Sequence, residues 1–237
     1  MSISTNIAAV QNRIAAAARA AGRDPAAISL MAVSKTQPPD AIREAHAAGL
    51  RLFGENRVQE FAAKAAALKL PDTVFHLIGH LQSNKAAKAA ELFSAIDSVD
   101  SLRLAQKLNA SARDFAKTLA VLIEINIGGE AAKSGIGPVS TELESLLLAA
   151  PQLENLDICG LMTVPPFTED PELARPYFRR LRDLRDRIAK RRLPRVSMDQ
   201  LSMGMSHDFE IAIAEGSTCV RVGTAIFGAR IVSAGPP

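Results

Sequence analysis

Several residue types that mark particular classes of protein are scarce in this chain of 237 residues. The only two cysteines, Cys159 and Cys219, lie in apolar, strand-like segments, so we expect no disulfide framework. No apolar run approaches the roughly 20 residues that cross a bilayer. The first residues also lack the basic start and apolar stretch of a signal peptide. We therefore expect a soluble, cytoplasmic protein with no membrane partner.

Aromatic residues and net charge are also low. Trp is absent, Tyr occurs once, and the net charge is +3 with 48% hydrophobic residues. The chain as a whole is therefore no polycation, and it has enough apolar residues for a large core. Its length lies near the roughly 250 residues of a typical single (β/α)8 barrel.

The chain alternates apolar, β-branched runs with Ala-rich segments of helical period. We predict strands at 29–35, 50–54, 74–79, 94–99, 119–126, 156–162, 200–204 and 218–222. We predict helices at 5–20, 39–48, 57–69, 83–92, 101–115, 139–149, 172–192 and 207–215, and a short one from Ala225. Eight alternating units without a linker predict one domain, 1–237, folded as a TIM barrel with an extra N-terminal helix and a frayed tail at 233–237.

Lys35 ends the apolar run that starts at Ile28, and the turn signal Pro38-Pro39-Asp40 follows it. Val33 and Met31 share its side of an extended strand, so the lysine amine is expected inside one rim of the sheet. Burial favours the neutral, nucleophilic amine, which suits a Schiff base with an aldehyde. The alternative is an ammonium group that extends from the strand end into water.

The last forty residues contain two strand-turn-helix transitions, one around Ser206 and one around Thr224. We predict that Ser206 and Thr224 cap the helices that follow, with Asp208 in the first turn of one of them. The loops after strands 7 and 8 are a common phosphate site in barrels, and these turns offer hydroxyl and backbone N–H groups. The alternative is that both residues are only helix caps.

Arg221 lies two residues before Gly223, so both positions face the barrel interior. An inward arginine is costly unless it has a partner. We therefore expect a carboxylate, a carbonyl or a ligand acceptor beside Arg221, with a structural ion pair as the alternative.

Three further patterns favour ordinary structural roles. His76 and His80 share one face but lack a third ligand, so we predict no metal. The segment 128–135 only superficially resembles a P-loop, because Ile127 and Ala132 replace two required glycines. The segment 175–195 has ten basic and two acidic residues. It indicates either nucleic-acid binding or a solvated helix with Asp183–Arg187 and Asp186–Lys190 pairs; we favour the helix and expect no nucleic acid.

Motifs over nearly the whole chain resemble the pyridoxal 5'-phosphate homeostasis proteins, which are related to the barrel domain of alanine racemase. The matching stretches lie at 32–36, 53–56, 76–85, 98–101, 160–162, 201–209 and 220–228. The resemblance implies pyridoxal phosphate as cofactor, with Lys35 forming the internal aldimine. It also implies that Ser206, Gly223 and Thr224 hold the phosphate, with Ser202 nearby. Arg221 would face the pyridine nitrogen. Asn56 and Met162 would line the cofactor. The chain differs from the family pattern at Arg57, because an aromatic residue is frequent there, directly after the residue that corresponds to Asn56.

The resemblance implies a non-catalytic carrier that buffers or delivers the cofactor in vitamin B6 homeostasis, with apo-enzymes as possible recipients; we expect a monomer. An arginine at the ring nitrogen weakens the ring as an electron sink. Racemisation needs an acid or base on each face of the substrate carbon, and the only tyrosine, Tyr177, lies in the Arg-rich helix. The alternatives are a pyridoxal phosphate enzyme with weak racemase or lyase activity and a nucleic-acid-binding module through 175–195.

Overall fold

Eight parallel strands form a closed barrel in the computed structural model, which describes residues 2–130 and 132–228. Each strand pairs with the next one in the chain, and the last strand pairs with the first. The strands are β1 Ser29–Val33, β2 Leu52–Glu55, β3 Val74–Leu77, β4 Ala95–Val99, β5 Leu119–Glu124, β6 Leu156–Met162, β7 Val196–Met205 and β8 Cys219–Val222.

Helices surround this barrel. They are α1 Ile3–Ala20, α2 Pro39–Ala47, α3 Val58–Ala65, α4 Ala86–Leu92, α5 Leu102–Asp114, α6 Thr141–Ala149, α7 Arg175–Ala189, α8 Phe209–Ala214 and α9 Thr224–Phe227. The predicted (β/α)8 barrel with an extra N-terminal helix is therefore confirmed over the described residues. The carboxyl ends of the strands share one rim, where βα loops position functional groups in this fold.

The outer faces of the strands pack against the helices. Phe53 of β2 and Phe75 of β3 stack with ring centroids 5.5 Å apart, and Phe61 of α3 packs against Phe75 at 4.6 Å. Such paired aromatic rings bury large apolar areas and stabilise the layer between strands and helices.

The N-terminal helix supports the end of the barrel that carries α9. Ser2 caps α1 by accepting a hydrogen bond from the Thr5 backbone N–H. Ile7, Val10 and Ile14 are buried at one side of the helix, at the three- and four-residue spacing of an amphipathic helix. The Asn6 side chain donates to the Ile226 carbonyl at 2.9 Å, so α1 contacts α9 directly.

Some predicted boundaries differ from the structure. The first strand ends at Val33 and not at Lys35, because the chain turns there and Thr36 takes a positive φ of 64°. Strand β7 starts at Val196, before the predicted residue 200, and α7 spans only Arg175–Ala189 because a 3-10 turn, Pro171–Ala174, precedes it. The predicted frayed tail at 233–237 lies outside the described residues.

The predicted helix caps at Ser206 and Thr224 are wrong. The cap residue of α8 is Asp208, whose carboxylate accepts from the Met205 backbone N–H at 2.7 Å. The cap residue of α9 is Gly223, and Thr224 is already the first helical residue. Residue type alone favoured the hydroxyls, but the lengths of the two turns place other residues at the helix starts.

The sequence predicts neither a disulfide framework nor a membrane-spanning segment. In the described part of the chain, Cys159 and Cys219 are both free thiols. Burial raises the pKa of Cys219 to about 12, so this thiol stays protonated at neutral pH. Within the same residues, no helix is long and apolar enough to cross a membrane.

Candidate functional site

Lys35 lies just beyond the carboxyl end of β1 and is half-buried. Two residues earlier, Val33 pairs with Gly54 of β2. On the other side, a Cβ atom added to Gly223 would lie 3.4 Å from the Val33 Cβ and carbonyl oxygen. The segment that carries Lys35 therefore runs directly beside the turn between β8 and α9.

The turns that follow β7 and β8 meet each other. The Ala225 backbone N–H donates to the Ser206 hydroxyl at 3.5 Å. Gly204 lets α8 pack closely against β7, because it has a φ of +93° and a Cβ there would lie 2.5 Å from the Ala212 Cβ. Gly223 is half-buried and Thr224 exposed, so an anion can reach both from solvent. The structure thus brings together the three residues predicted to hold a phosphate.

Arg221 points into the barrel, as predicted, and is 4% exposed. Its Nη1 donates to the Ser202 hydroxyl at 2.8 Å and its Nη2 to the Thr163 carbonyl at 2.7 Å. Burial lowers the pKa of Arg221 from its usual value, while nearby acidic groups oppose that change. These two contacts fix the plane of the guanidinium group, and they place Ser202 against Arg221.

Asn56 and Met162 lie on opposite sides of this rim. The Asn56 Oδ1 atom is buried and has no hydrogen-bond partner within the described chain. A Cβ added to Gly79 would lie 2.4 Å from the Asn56 carbonyl, so the backbone of Asn56 is held closely. Met162 is fully buried and pairs with Ser202 of the next strand. A buried acceptor without a partner is costly, and a bound group with a donor would satisfy it.

Sequence reasoning missed Glu124, the last residue of β5. Glu124 pairs with Met162 on β6, and Met162 pairs with Ser202 on β7. The three side chains therefore face the same side of the sheet. The Glu124 Oε2 atom is buried without a hydrogen-bond partner in the described chain. Burial and the charge of Asp100 raise the pKa of Glu124 to about 7, although Arg221 and His80 oppose the rise. A signal existed: one acid interrupts the apolar run of β5.

The two histidines of the discounted metal hypothesis bind different acids. His76 Nδ1 lies 2.9 Å from Asp97 Oδ1, and His80 Nδ1 lies 3.0 Å from Asp100 Oδ2. No group of three His, Cys, Asp or Glu in residues 2–130 and 132–228 is placed to hold a metal ion. Each histidine therefore pairs with its own aspartate, His76 in the barrel wall and His80 in an exposed loop beyond β3.

Several arginines of the basic segment bind acids outside it. Arg175, Arg179 and Arg182 converge on Glu215 with N–O distances of 2.9, 3.1 and 3.0 Å. Arg191 pairs with Glu144 at 2.6 Å. The predicted Asp183–Arg187 and Asp186–Lys190 pairs are wrong. The two aspartates bind instead the arginines that directly precede them.

At one rim, the site thus combines the half-buried Lys35, the two turns that follow β7 and β8, a fixed guanidinium group and a carboxyl group with one buried oxygen. A primary amine can attack an aldehyde, and hydroxyl and backbone N–H groups can hold a phosphate. The carboxyl group, with its pKa near neutrality, can give or accept a proton.

Comparison with known proteins matches this chain to one family model and to several named relatives. Residues 5–231 match the family model described as the N-terminal domain of alanine racemase. A Pseudomonas aeruginosa protein called pyridoxal phosphate homeostasis protein is 48% identical over 96% of this chain and 96% of its own length. Proteins of the same name from Aquifex aeolicus and Escherichia coli are 45% and 46% identical, over 97% and 96% of this chain and 99% and 97% of their own lengths.

Solved structures give the same fold. PipY of Synechococcus elongatus, solved with PLP bound, has a TM-score of 0.82 and 37% identity, and the match covers 95% of this chain and 100% of that one. An alanine racemase from Streptomyces coelicolor has a TM-score of 0.70 and 21% identity, covering 96% of this chain but 58% of the racemase. The racemase likeness concerns the barrel fold alone.

Proposed function

The chain belongs to the pyridoxal phosphate homeostasis proteins, within the alanine racemase N-terminal domain family, and we propose that it binds pyridoxal 5'-phosphate through Lys35 and holds it for delivery. In this proposal it buffers the cofactor in vitamin B6 homeostasis without robust turnover. The single observation that supports it best is the position of Lys35 beside the paired Ser206 and Thr224 turns. An amine for the aldehyde and a cradle for the phosphate are thereby within one rim.

The residues fit this cofactor. The buried Asn56 Oδ1 has no partner among the described residues, and the Ser206 hydroxyl already meets the Ala225 N–H of the next turn. A bound phosphate would take hydrogen bonds from Ser206, Thr224 and the backbone at Gly223. Asn56 and Met162 would border the ring. The choice of cofactor is supported by PipY, which is 37% identical and was solved with PLP bound. When bound, the cofactor supplies an aldehyde and an aromatic ring that accepts electrons.

Lys35 has a defined task in this scheme. It would supply the primary amine that can bond to the aldehyde carbon of the cofactor. Bond formation would release one water molecule, and addition of water would reverse it and free the cofactor.

Arg221 explains the expected lack of strong turnover. Ser202 and the Thr163 carbonyl orient its guanidinium group, which would face the ring nitrogen of a bound cofactor. A cation there would keep that nitrogen unprotonated, so the ring would be a weak acceptor of electrons from a substrate carbon. Tyr177, the only tyrosine, lies on the outer helix α7, so it cannot supply the second acid or base of a racemase.

The absorbance spectrum of purified protein mixed with the cofactor tests this function. We expect the visible band of an aldimine in the wild type and in Lys69→Ala, which changes an exposed lysine. The band should be absent in Lys35→Ala, because the proposal assigns the bond with the aldehyde to the Lys35 amine. A wild-type protein that never gains the band at saturating cofactor would overturn the proposal.

A weak racemase or lyase is the second candidate, and Glu124 favours it. Its carboxyl group, with a pKa raised to about 7 chiefly by burial, is an acid-base group on the same interior face as Met162 and Ser202. Deuterium exchange at the α-carbon of amino acids, lost in both Lys35→Ala and Glu124→Gln, would support an enzyme. No exchange in the wild type across the amino acids would remove this candidate.

Nucleic-acid binding through 175–195 receives less support. Glu215, Glu144, Glu172 and two aspartates of the helix pair with its arginines, which reduces the charge offered to phosphates. We also propose that apo-enzymes receive the cofactor from this protein. For the oligomeric state, we propose a monomer. Light scattering at increasing concentration measures the assembly directly.

A further inference from the structure

The segment 34–37, which carries Lys35, is held by a buried group of charged and polar side chains. We call the side chains of Ser34, Glu55, Glu60 and Lys64 the Lys64 clamp. Glu55 ends β2, and Glu60 and Lys64 lie one helical turn apart on α3. Ser34 and Glu55 are fully buried, and Lys64 is 8% exposed. Nothing in the proposed cofactor contacts accounts for a buried lysine here.

Lys64 connects the clamp to the backbone around Lys35. Its Nζ lies 2.9 Å from Glu55 Oε1, and it donates to the Ser34 carbonyl at 3.0 Å and to the Gln37 carbonyl at 3.4 Å. The Ser34 hydroxyl also donates to Glu55 Oε1, at 2.5 Å. The ammonium group therefore holds the chain on both sides of Lys35.

Glu60 holds the residue that follows Lys35. Its Oε1 accepts from the Thr36 backbone N–H at 2.5 Å and from Lys64 Nζ at 3.4 Å. Thr36 has a φ of 64°, a region that β-branched residues rarely adopt. Such a conformation persists only where surrounding contacts enforce it, and the clamp supplies them.

The clamp is also electrostatically costly. Burial raises the pKa of Glu55, and hydrogen bonds from Lys64 and Ser34 oppose that rise. The second oxygen, Glu55 Oε2, is buried without a hydrogen-bond partner in the described chain. A buried ion pair is often no more stable than a well-packed apolar pair, so stability alone does not explain this arrangement.

We propose that Lys64 is a positioning residue for Lys35, which acts by fixing the 34–37 segment so that the Lys35 amine meets the cofactor aldehyde. The inference rests on the proposed function, in which Lys35 makes that bond. Misplacing a reacting group by about 1 Å can cost about a hundredfold in rate. Lys64 should therefore affect bond formation at Lys35 much more than it affects binding of the phosphate and ring.

Two ligands separate these effects in one experiment. Pyridoxal 5'-phosphate has the aldehyde, whereas pyridoxine 5'-phosphate carries an alcohol there and cannot bond to Lys35. The variants are Lys64→Met and the double variant Glu55→Gln with Lys64→Met. The double variant removes the buried charge that Lys64→Met alone would leave unpaired, so it keeps a folded protein available. Lys88→Met is the matched control, because Lys88 also pairs with a helix glutamate at 2.9 Å but is half-exposed.

We expect both clamp variants to bind pyridoxine phosphate as the wild type does. With pyridoxal phosphate, the visible band should form between about tenfold and a hundredfold more slowly, while Lys88→Met forms it at the wild-type rate. If the folded clamp variants formed the band at the wild-type rate, the positioning role of Lys64 would be overturned, and the proposed function would stand. If the wild type itself formed no band, the proposed function would fail, and the clamp with it. Equal losses for both ligands would also overturn the inference, since they indicate a general structural role.

Discussion

Replacing Glu124 by glutamine should change how the stability of the cofactor-free protein depends on pH. The carboxyl pKa is raised from 4.5 to about 7, chiefly by burial and then by Asp100, while Arg221 and His80 oppose the rise. The folded protein therefore binds this proton more tightly than the unfolded chain does. Its contribution is fully present below about pH 4.5 and is lost as the pH rises to about 7.

The size of the effect follows from the two pKa values. A change from 4.5 to about 7 corresponds to a loss of about 3 kcal/mol of unfolding free energy between acid and mildly alkaline pH. Solvent near the rim reduces this figure, so we expect about 2 kcal/mol. Glutamine has the same shape but does not titrate. The stability of Glu124→Gln relative to the wild type should therefore rise by that amount from pH 5 to pH 8.

Urea unfolding of both proteins at pH 5, 6, 7 and 8 measures this difference. Titrating groups that do not interact with Glu124, such as Asp208, contribute equally to both curves and cancel in the comparison. Carbon NMR of the glutamate carboxyl groups gives a second readout: one resonance should titrate near pH 7 in the wild type and be absent from the variant. Parallel stability curves, or no carboxyl resonance that titrates near neutrality, would refute the reasoning.

Two further predictions concern the packing between neighbouring strands and the ion pairs of Glu215. Gly160→Ala should destabilise the fold by about 3 kcal/mol in thermal unfolding, because the new Cβ would lie 1.8 Å from the Gln200 carbonyl of the neighbouring strand. Gly137→Ala, where the nearest atom is 3.7 Å away, should change stability little, and equal effects of the two would contradict the packing argument. Glu215→Gln should cost about 2 kcal/mol at pH 7, because three arginines lose their shared carboxylate. Burial alone would raise the pKa of Glu215, but hydrogen bonds from Arg179 and Arg175 hold it below its usual value, so the cost should shrink as the wild type is acidified below about pH 4. A cost that is unchanged at low pH would argue against this ion-pair cluster.

The barrel was predictable because its strands have a strong local signal. Eight apolar, β-branched runs alternate with helical segments, and βα units of this kind close into a parallel barrel. The inward direction of Arg221 followed from strand alternation alone, and its carbonyl partner at Thr163 is of a predicted type. The family motifs then pointed to the rim where Lys35, Ser206 and Thr224 meet.

Other features depend on distances that the sequence does not contain. The first strand ends at Val33 because of contacts from Lys64 and Glu60, which lie about one strand and one helix further along the chain. Ser206 and Thr224 look like helix caps, but the length of each turn places Asp208 and Gly223 there instead. Glu124 is next to Met162 only because of the register between β5 and β6. Register and turn length are properties of the closed barrel, so local residue patterns could not supply them.

Borohydride reduction followed by peptide mapping identifies the lysine that bonds to the cofactor aldehyde. The wild-type protein is saturated with pyridoxal phosphate, reduced, digested and analysed by mass spectrometry, with Lys35→Ala treated in parallel. We predict a stable phosphopyridoxyl group on Lys35 in the wild type, and no such group on the corresponding peptide of the variant. A label found mainly on other lysines, or no stable label in the saturated wild type, would contradict it.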